Sequence, residues 1–485
     1  MGYYLTRRKR NSIIGKMILL LQLIISVGFA AILWKSGMIP GEFLLLTVIV
    51  LLALLGVLFI LLGEAFGYQF AGRKGNIAGV ILSVFVNLIF GIGIIYLAKA
   101  DAVLRDVGGA TYKTDNMVVV VKNDDPAEKL EDAKNYRFGY QTTLDQDNNT
   151  LMVEDIEAKV GREIKLIETE TIIDEAEALL AGRIEAAIYN EAYGSVIEEA
   201  VEGYSDQVRV LYQYGIETDI EIEETDIEKS FNIYISGIDV AGSITKNSRS
   251  DVNIIMTVNP STKKILLTTT PRDYYVQIPG ISGEARDKLT HAGIYGVDRS
   301  MATLENIYDI DISYFARVNF TSLIMIVDAL GGVNVESEYA FEAGGYSFEK
   351  GMNHLNGEQA LVFARERHSF QDGDNQRGKN QEAILKAILE RIMFPDILFQ
   401  ANDILNNVAD CVETNMTRDE MAKFINMQLS ERAAWEIETT AATGSGDKQA
   451  CFSSGSQLLY VMWPDEAVVS DISRRMKKVE GENEG

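Results

Sequence analysis
Three apolar runs dominate the start of the chain: Met17 to Trp34, Phe43 to Leu62 and Ile77 to Ala98. None holds a charged residue, and Thr47 is the one polar interruption of the second. About 20 helical residues cross the core of a bilayer, so residues 1–100 are predicted to form a membrane anchor of three transmembrane helices (17–34, 43–62 and 77–98). A removable leader has one shorter run and a small-residue cleavage site, so the anchor is expected to stay. Beyond it the pattern shortens. Strand-like runs at Met117–Lys122, Tyr136–Gln141, Glu163–Glu168, Ala186–Asn190 and Val208–Tyr214 alternate with helical patterns at Pro126–Asn135, Leu144–Lys159, Ile172–Ala181 and Ala192–Val201. This alternation predicts a small accessory α/β domain over residues 111–225 with a mostly parallel sheet.

An acidic segment, Glu217 to Lys229, reads as a linker. Strand patterns follow at Phe231–Ile238, Val252–Val258 and Lys264–Thr269, then helical ones at Arg299–Tyr308, Thr321–Leu330, Gly357–Phe363, Gln376–Met393 and Arg418–Ser430. Strand-like Trp435–Thr440 and Leu458–Met462 and a helix over Asp465–Lys478 complete a larger α/β domain over residues 230–480.

Charge orients the anchor. The first hundred residues hold nine Lys or Arg against two acids, whereas the whole 485-residue chain carries −25. Basic residues are retained on the cytoplasmic side. Arg7, Arg8, Lys9, Arg10 and Lys16 precede the first span, and Arg73 and Lys74 separate the second from the third. The N-terminus is therefore expected inside and both α/β domains outside, a multi-pass protein of the cell membrane. An acidic exterior and short cytoplasmic segments disfavour nucleic-acid binding. The two cysteines, Cys411 and Cys451, fall in the predicted exterior, where a disulfide between them is permitted; two buried thiols are the alternative.

Candidate chemistry gathers at the strand ends of the larger domain, where open α/β sheets place ligands. Asp239 closes one strand and Arg249-Ser-Asp251 opens the next; the two carboxylates are the hard oxygen donors that suit Mg²⁺ beside phosphate oxygens. Pro271-Arg272-Asp273 follows the third strand, and its guanidinium suits a bidentate grip on phosphate. Arg365, Arg367, Arg377, Lys379 and Gln381 put five cationic or amide donors within seventeen positions, a set that fits a pyrophosphate. An ion-pair network with Glu366, Asp372 and Asp374 is the bland alternative.

The motifs Ser236-Gly-Ile-Asp239, Arg249-Ser-Asp251, Val258-Asn-Pro260, Pro271-Arg-Asp273, Lys288-Leu-Thr-His291-Ala, Leu355-Asn-Gly357-Glu-Gln-Ala-Leu361, Ala364-Arg-Glu-Arg367 and Gly373-Asp-Asn-Gln-Arg377-Gly-Lys-Asn-Gln381 occur in this order over residues 230–480. Together they resemble the LytR-CpsA-Psr family of Gram-positive bacteria; the three spans and the intervening small domain are similar to its capsule-associated CpsA branch. The resemblance implies a central mixed sheet flanked by helices. It also implies a phosphotransferase that moves a glycopolymer, capsular polysaccharide in this branch, from a polyprenyl-pyrophosphate carrier to peptidoglycan, assisted by Mg²⁺. By matching position, Arg249, Arg272, Arg365, Arg367, Arg377 and Gln381 would hold the pyrophosphate and Asp239 and Asp251 the metal. Asp251, Arg272 and Asp374 would be catalytic, with Asp251 or Asp374 as the base. The membrane, the lipid-linked glycopolymer, peptidoglycan and capsule-assembly membrane proteins, against which Gly91 and Gly93 would pack, are the expected partners. A phosphatase of the lipid carrier and a regulator of capsule synthesis without catalysis remain the competing readings.

Overall fold
In a computed structural model the described residues are 2–62, 72–220, 225–238, 247–370, 373–393, 412–431 and 433–481. The chain divides into two compact units, Met1–Asp106 with Thr417–Ala433, and Val107–Met416 with Ala434–Gly485.

The first unit holds helices α1 (Gly2–Ser36), α2 (Gly41–Leu61), α3 (Gly72–Val107) and, from far along the chain, α12 (Arg418–Glu431). Ile13–Ser36, Gly41–Leu61 and Lys74–Val107 are each long and apolar enough to cross a membrane. A polar bond joins α1 to α3, Ser83 Oγ donating to Gln22 Oε1 at 3.1 Å, and within α1 Gln22 Nε2 donates to Ser26 Oγ at 3.3 Å. Such bonds hold helices together where no water competes. Phe29 stacks on Phe90 at 5.0 Å, and a Cβ on Gly93 would meet the Phe29 ring at 3.0 Å, so Gly93 serves packing within the anchor itself. Residues 417–433 group with these helices rather than with the rest of 230–480. There Arg418 donates to Asp101 (Nε to Oδ1, 2.8 Å) and to the Ser36 carbonyl (2.6 Å).

The second unit opens with the accessory domain: β1 (Tyr112–Lys122), β2 (Arg137–Gln141), α4 (Gln146–Val160), β3 (Lys165–Thr169), α5 (Ile172–Leu180), β4 (Ala186–Asn190), α6 (Gly194–Ala200) and β5 (Val208–Asp219). Its sheet runs β3-β2-β4-β1-β5. The sheet is mixed, not mostly parallel: β2 is parallel to β3 and β4, but β1 is antiparallel to both β4 and β5. A parallel pair needs a long crossover. α4 links β2 to β3, whereas only a short 3₁₀ turn, Leu130–Ala133, stands between β1 and β2, in place of the predicted helix over Pro126–Asn135. Leu130 and Ala133 are buried, and the turn is closed by Lys129 N donating to Asp132 Oδ2 at 3.2 Å and Asp132 N donating to Lys129 O at 3.0 Å, so two apolar contacts satisfy this segment without further helical turns.

The larger domain continues with β6 (Phe231–Ile238), β7 (Ser250–Asn259), β8 (Lys264–Thr269), β9 (Tyr275–Val276), β10 (Asp287–Lys288), α7 (Leu289–Ala292), α8 (Val297–Tyr308), β11 (Tyr314–Asn319) and α9 (Phe320–Ala329). Short strands β12 (Val333–Ser337), β13 (Phe341–Ala343), β14 (Tyr346–Phe348) and β15 (Gly351–Leu355) lead to α10 (Gly357–Arg365) and α11 (Gly373–Met393); β16 (Val412–Thr414), β17 (Glu436–Ala441), β18 (Gly444–Ala450), β19 (Leu458–Pro464) and α13 (Glu466–Glu480) follow. The central mixed sheet, β16-β11-β6-β7-β8-β17, is flanked by helices. Tyr234, Ile255 and Leu266 of the sheet form one core with Leu304 and Tyr308 of α8 and Ile472 and Met476 of α13. A second core joins Val327 of α9, Phe363 of α10 and Ile384 of α11 to Phe341 and Phe348. Strand β11 escaped the hydrophobic pattern because Arg317 interrupts it. That guanidinium is buried against Glu413 on neighbouring β16 (Nε to Oε2, 2.6 Å), and burial raises the Glu413 carboxyl above its ordinary range although Arg317 opposes the shift.

Candidate phosphate-binding site
A backbone irregularity starts the site. Gly237 pairs with Val252 but Ile238 pairs with Ser250, so Asp251 is the extra residue of a β-bulge at the open end of the β6–β7 pair. Bulges redirect a side chain where the ladder is interrupted. A Cβ on Gly237 would lie 2.6 Å from Val252 Cβ, so glycine permits the close approach. Beneath it the buried Tyr234 hydroxyl meets Ser250 Oγ at 2.8 Å and Asn253 Oδ1 at 2.6 Å, which fixes the start of β7.

Arg272 leaves the end of β8 through Pro271. Its loop is stitched to α7 by Thr290 N donating to Arg272 O (2.8 Å) and Leu289 N donating to Tyr274 O (2.8 Å). The guanidinium reaches Asp251 (Nη1 to Oδ1, 3.1 Å), which also accepts from Thr290 Oγ1 at 3.3 Å. Pairing of β9 with β10 brings Lys288 alongside, its Nζ 3.5 Å from Asp273 Oδ1, while Asp273 Oδ2 lies 3.7 Å from Arg272 Nε.

From the other side comes α11. Gly378 permits its approach, since a Cβ there would lie 3.0 Å from Thr269 Cγ2, and the buried Glu382 carboxyl group accepts from Thr269 N at 3.0 Å through Oε1. Burial pushes the Glu382 carboxyl up to about 8, with the Thr269 hydrogen bonds opposing. The same helix is tied to the end of α10: Gln381 Nε2 donates to Ala364 O (3.4 Å) and Asn380 Nδ2 to Phe363 O (3.2 Å). At its start, a Cβ on Gly373 would sit 2.9 Å from Arg367 O, so only glycine admits this contact.

Asp251, Arg272, Arg377 and Gln381, separated by up to 130 positions along the chain, thereby line one pocket with Asn253, Thr270 and Asp273. The pocket is small, with a cavity volume of about 30 Å³. Arg249 does not line this pocket and joins through a side-chain relay, its Nη1 3.6 Å from Glu199, which accepts from Lys288 Nζ at 2.7 Å. Arg365 and Arg367 are exposed at the end of α10, outside the pocket lining but on the element that Gln381 holds. Asp239 lies outside the described residues, as do the side chain of Asp374 and the whole of Cys411; Cys451 is a buried free thiol, its proton affinity pushed up to about 12 chiefly by burial. On α9, Val327 belongs to the core, and Leu323 and Ile326 pack against it.

The residues without an expected role are Lys288, Asp273, Thr290, Glu199 and Glu382. The first three stand inside motifs already singled out, so proximity in sequence was an available signal. Glu199 belongs to the other domain, and nothing local marks it. Among the described residues no group of three or more His, Cys, Asp or Glu side chains could hold a metal. Asp251 supplies one carboxylate, the kind of oxygen donor that Mg²⁺ takes beside waters and phosphate oxygens.

The fold and site define an α/β protein with a pocket of paired guanidinium and carboxylate groups at the strand ends of a mixed sheet, preceded by helices with the composition of a membrane anchor. A model of the LytR-CpsA-Psr family matches residues 199–477, more than half of the chain, and the chain belongs to that family. A polyisoprenyl-teichoic acid–peptidoglycan teichoic acid transferase TagU of Halalkalibacterium halodurans is 31% identical over 298 residues, 60% of this chain and 93% of that protein. The protein of the same description from Bacillus mycoides is 34% identical over 293 residues, 60% of this chain and 90% of its own. The crystal structure of B. subtilis TagU is 30% identical and covers 53% of this chain and 99% of its own, with a TM-score of 0.42. A second model, described as DNA polymerase processivity factor, matches residues 73–189; it covers less than half of the chain, begins inside α3, and assigns no activity.

Proposed function
We propose that this protein is a membrane-anchored phosphotransferase that moves a glycopolymer from a polyprenyl-pyrophosphate carrier to peptidoglycan outside the cytoplasmic membrane. The carrying observation is the convergence of Arg272, Arg377, Gln381 and Asp251 on one pocket, in a chain of a family whose similar members are named teichoic acid–peptidoglycan transferases. The three apolar helices, with their basic flanks toward the cytoplasm, support a multi-pass anchor that keeps the α/β domains beside the outer leaflet. A polyprenyl chain leaves that leaflet only at a large hydrophobic cost. Capsular polysaccharide is the polymer we assign, on the resemblance carried by the spans and the intervening domain.

In this reading Arg272, Arg377 and Gln381 grip the diphosphate in the pocket mouth, and Arg249, Arg365 and Arg367 extend the cationic surface around it. A peptidoglycan hydroxyl attacks the sugar-proximal phosphorus; the new P–O bond forms as the P–O–P bridge breaks, and lipid monophosphate leaves. The hydroxyl proton passes to Asp251 or Asp374. The guanidinium groups neutralise charge spread over the transferring phosphoryl group, so positioning and electrostatics supply the catalysis. Mg²⁺, held by Asp251 and Asp239, would add positive charge at the phosphate oxygens.

Incubation of the full chain with lipid-linked oligosaccharide, with and without peptidoglycan, tests the reading. A covalent polymer–peptidoglycan product is expected that requires acceptor and diminishes with EDTA. Release of free glycosyl phosphate without acceptor would make the protein a phosphatase of the carrier instead. Supplying capsular and teichoic donors in parallel reads the polymer class.

A further inference from the structure
Two domains supply the charges of this site. Val196 and Ile197 of α6 share a core with Ile294 of the larger domain, and the Tyr193 ring meets that of Tyr295 edge-on at 6.1 Å. Gln457 Nε2 donates to Ala200 O at 3.3 Å, and Lys113 bridges to Tyr295 O (2.7 Å) and Asp298 (2.8 Å). The end of α6 is thus held firmly on the domain that carries the pocket.

Glu199 sits at that end. Its Oε1 accepts from Lys288 Nζ at 2.7 Å and its Oε2 lies 3.6 Å from Arg249 Nη1. The Lys288 side chain is only 5% exposed, so this is no loose surface pair. Charges alternate through the site: Arg249, Glu199, Lys288, Asp273, Arg272 and Asp251, each within 3.7 Å of the next. Three cations face three carboxylates, and a guanidinium already shared with a carboxylate grips an incoming phosphate less strongly. Asp251 and Asp273 come from the same strand ends as the cations. Of the three acids, Glu199 alone comes from the accessory domain.

We propose that Glu199 is a built-in competitor for the donor's diphosphate. It occupies Arg249 and Lys288 while the site is empty and yields them when the diphosphate arrives, so that the accessory domain sets the affinity for donor. The inference rests on the reading of Arg249 as a phosphate-binding residue. It has a definite sign. Loss of the Glu199 charge tightens diphosphate binding if the carboxylate competes, and weakens it if the carboxylate merely positions Lys288 and Arg249.

The test is calorimetric binding of geranylgeranyl pyrophosphate to the full chain in detergent, for the wild type, Glu199→Gln, Glu199→Asp, Arg272→Ala and, as an exposed charge control, Glu202→Gln. Glu199→Gln is expected to bind roughly tenfold more tightly, within the usual range of coupling between sites. The gain should shrink at high salt. Glu199→Asp, which keeps the charge on a shorter arm, should fall between it and the wild type, and Glu202→Gln should match the wild type. Equal or weaker binding by Glu199→Gln, with wild-type binding intact, overturns the competitor role alone. Binding undiminished by Arg272→Ala, or absent from the folded wild type, overturns the phosphate-site reading and the inference with it.

Discussion

Arg272→Ala is expected to abolish measurable polymer transfer while leaving the chain folded. The side chain is about one quarter exposed and bonds Asp251 across the pocket mouth. Truncation therefore removes a cation that, in the proposed function, meets the reacting phosphates. Loss of one preorganised electrostatic donor lowers kcat by about 10²–10³, and here the Asp251 carboxylate is also left facing the diphosphate without its counter-charge. Arg272→Lys restores the charge without the planar fork and is expected to recover only part of the activity. The measurement is kcat and KM with lipid-linked donor, beside a thermal melt in detergent. A folded Arg272→Ala protein that transfers polymer at the wild-type rate would remove Arg272 from the site.

Glu382→Gln is expected to stabilise the protein increasingly as pH rises. Glu382 is 4% exposed, and burial pushes its carboxyl up to about 8 from an ordinary value of 4.5. The folded chain therefore keeps a proton that the unfolded chain releases. Below about pH 4.5 both states are protonated and the glutamate costs nothing extra. Between that value and about 8 the unfolded state gains by ionising and stability falls; above about 8 both forms are ionised and the loss levels off. Each tenfold change in proton affinity on folding is worth about 1.4 kcal/mol, which makes the plateau loss a few kcal/mol. Glutamine keeps an acceptor for Thr269 N and has no proton to lose. The melting temperatures of the two proteins should then coincide near pH 5 and separate by several degrees at pH 9. Parallel curves across that range would show that Glu382 is ionised in the folded state. The group stands next to Gln381 on α11, so its charging strains the helix that carries Arg377 and Gln381 into the pocket.

Much of this architecture was legible in the order of residues. β6 and β8 occupy the predicted runs Phe231–Ile238 and Lys264–Thr269, and α8, α9 and α11 begin and end within three residues of their predicted bounds. These elements bury one continuous face, and burial leaves a periodic trace. Where a buried position is ionic the trace breaks: Arg317 concealed β11, because its partner Glu413 lies 96 residues away. Arg272 was visible because it stands just beyond the end of β8, where sequence pattern changes, whereas Arg377 and Gln381 lie inside α11 and were visible only as part of a motif.

The chain's own order of residues determined its solvents, its two kinds of domain and its family, because hydropathy, charge and short motifs are local properties that survive without a fold. Tertiary structure alone decided which side chains meet. The bulge that turns Asp251 outward depends on pairing between two strands, the descent of α11 onto Thr269 depends on two glycines finding close neighbours, and the arrival of Glu199 beside Arg249 depends on how α6 packs against Ile294 and Tyr295. Each is a distance between residues far apart along the chain, fixed by packing, and such distances have no counterpart in local pattern.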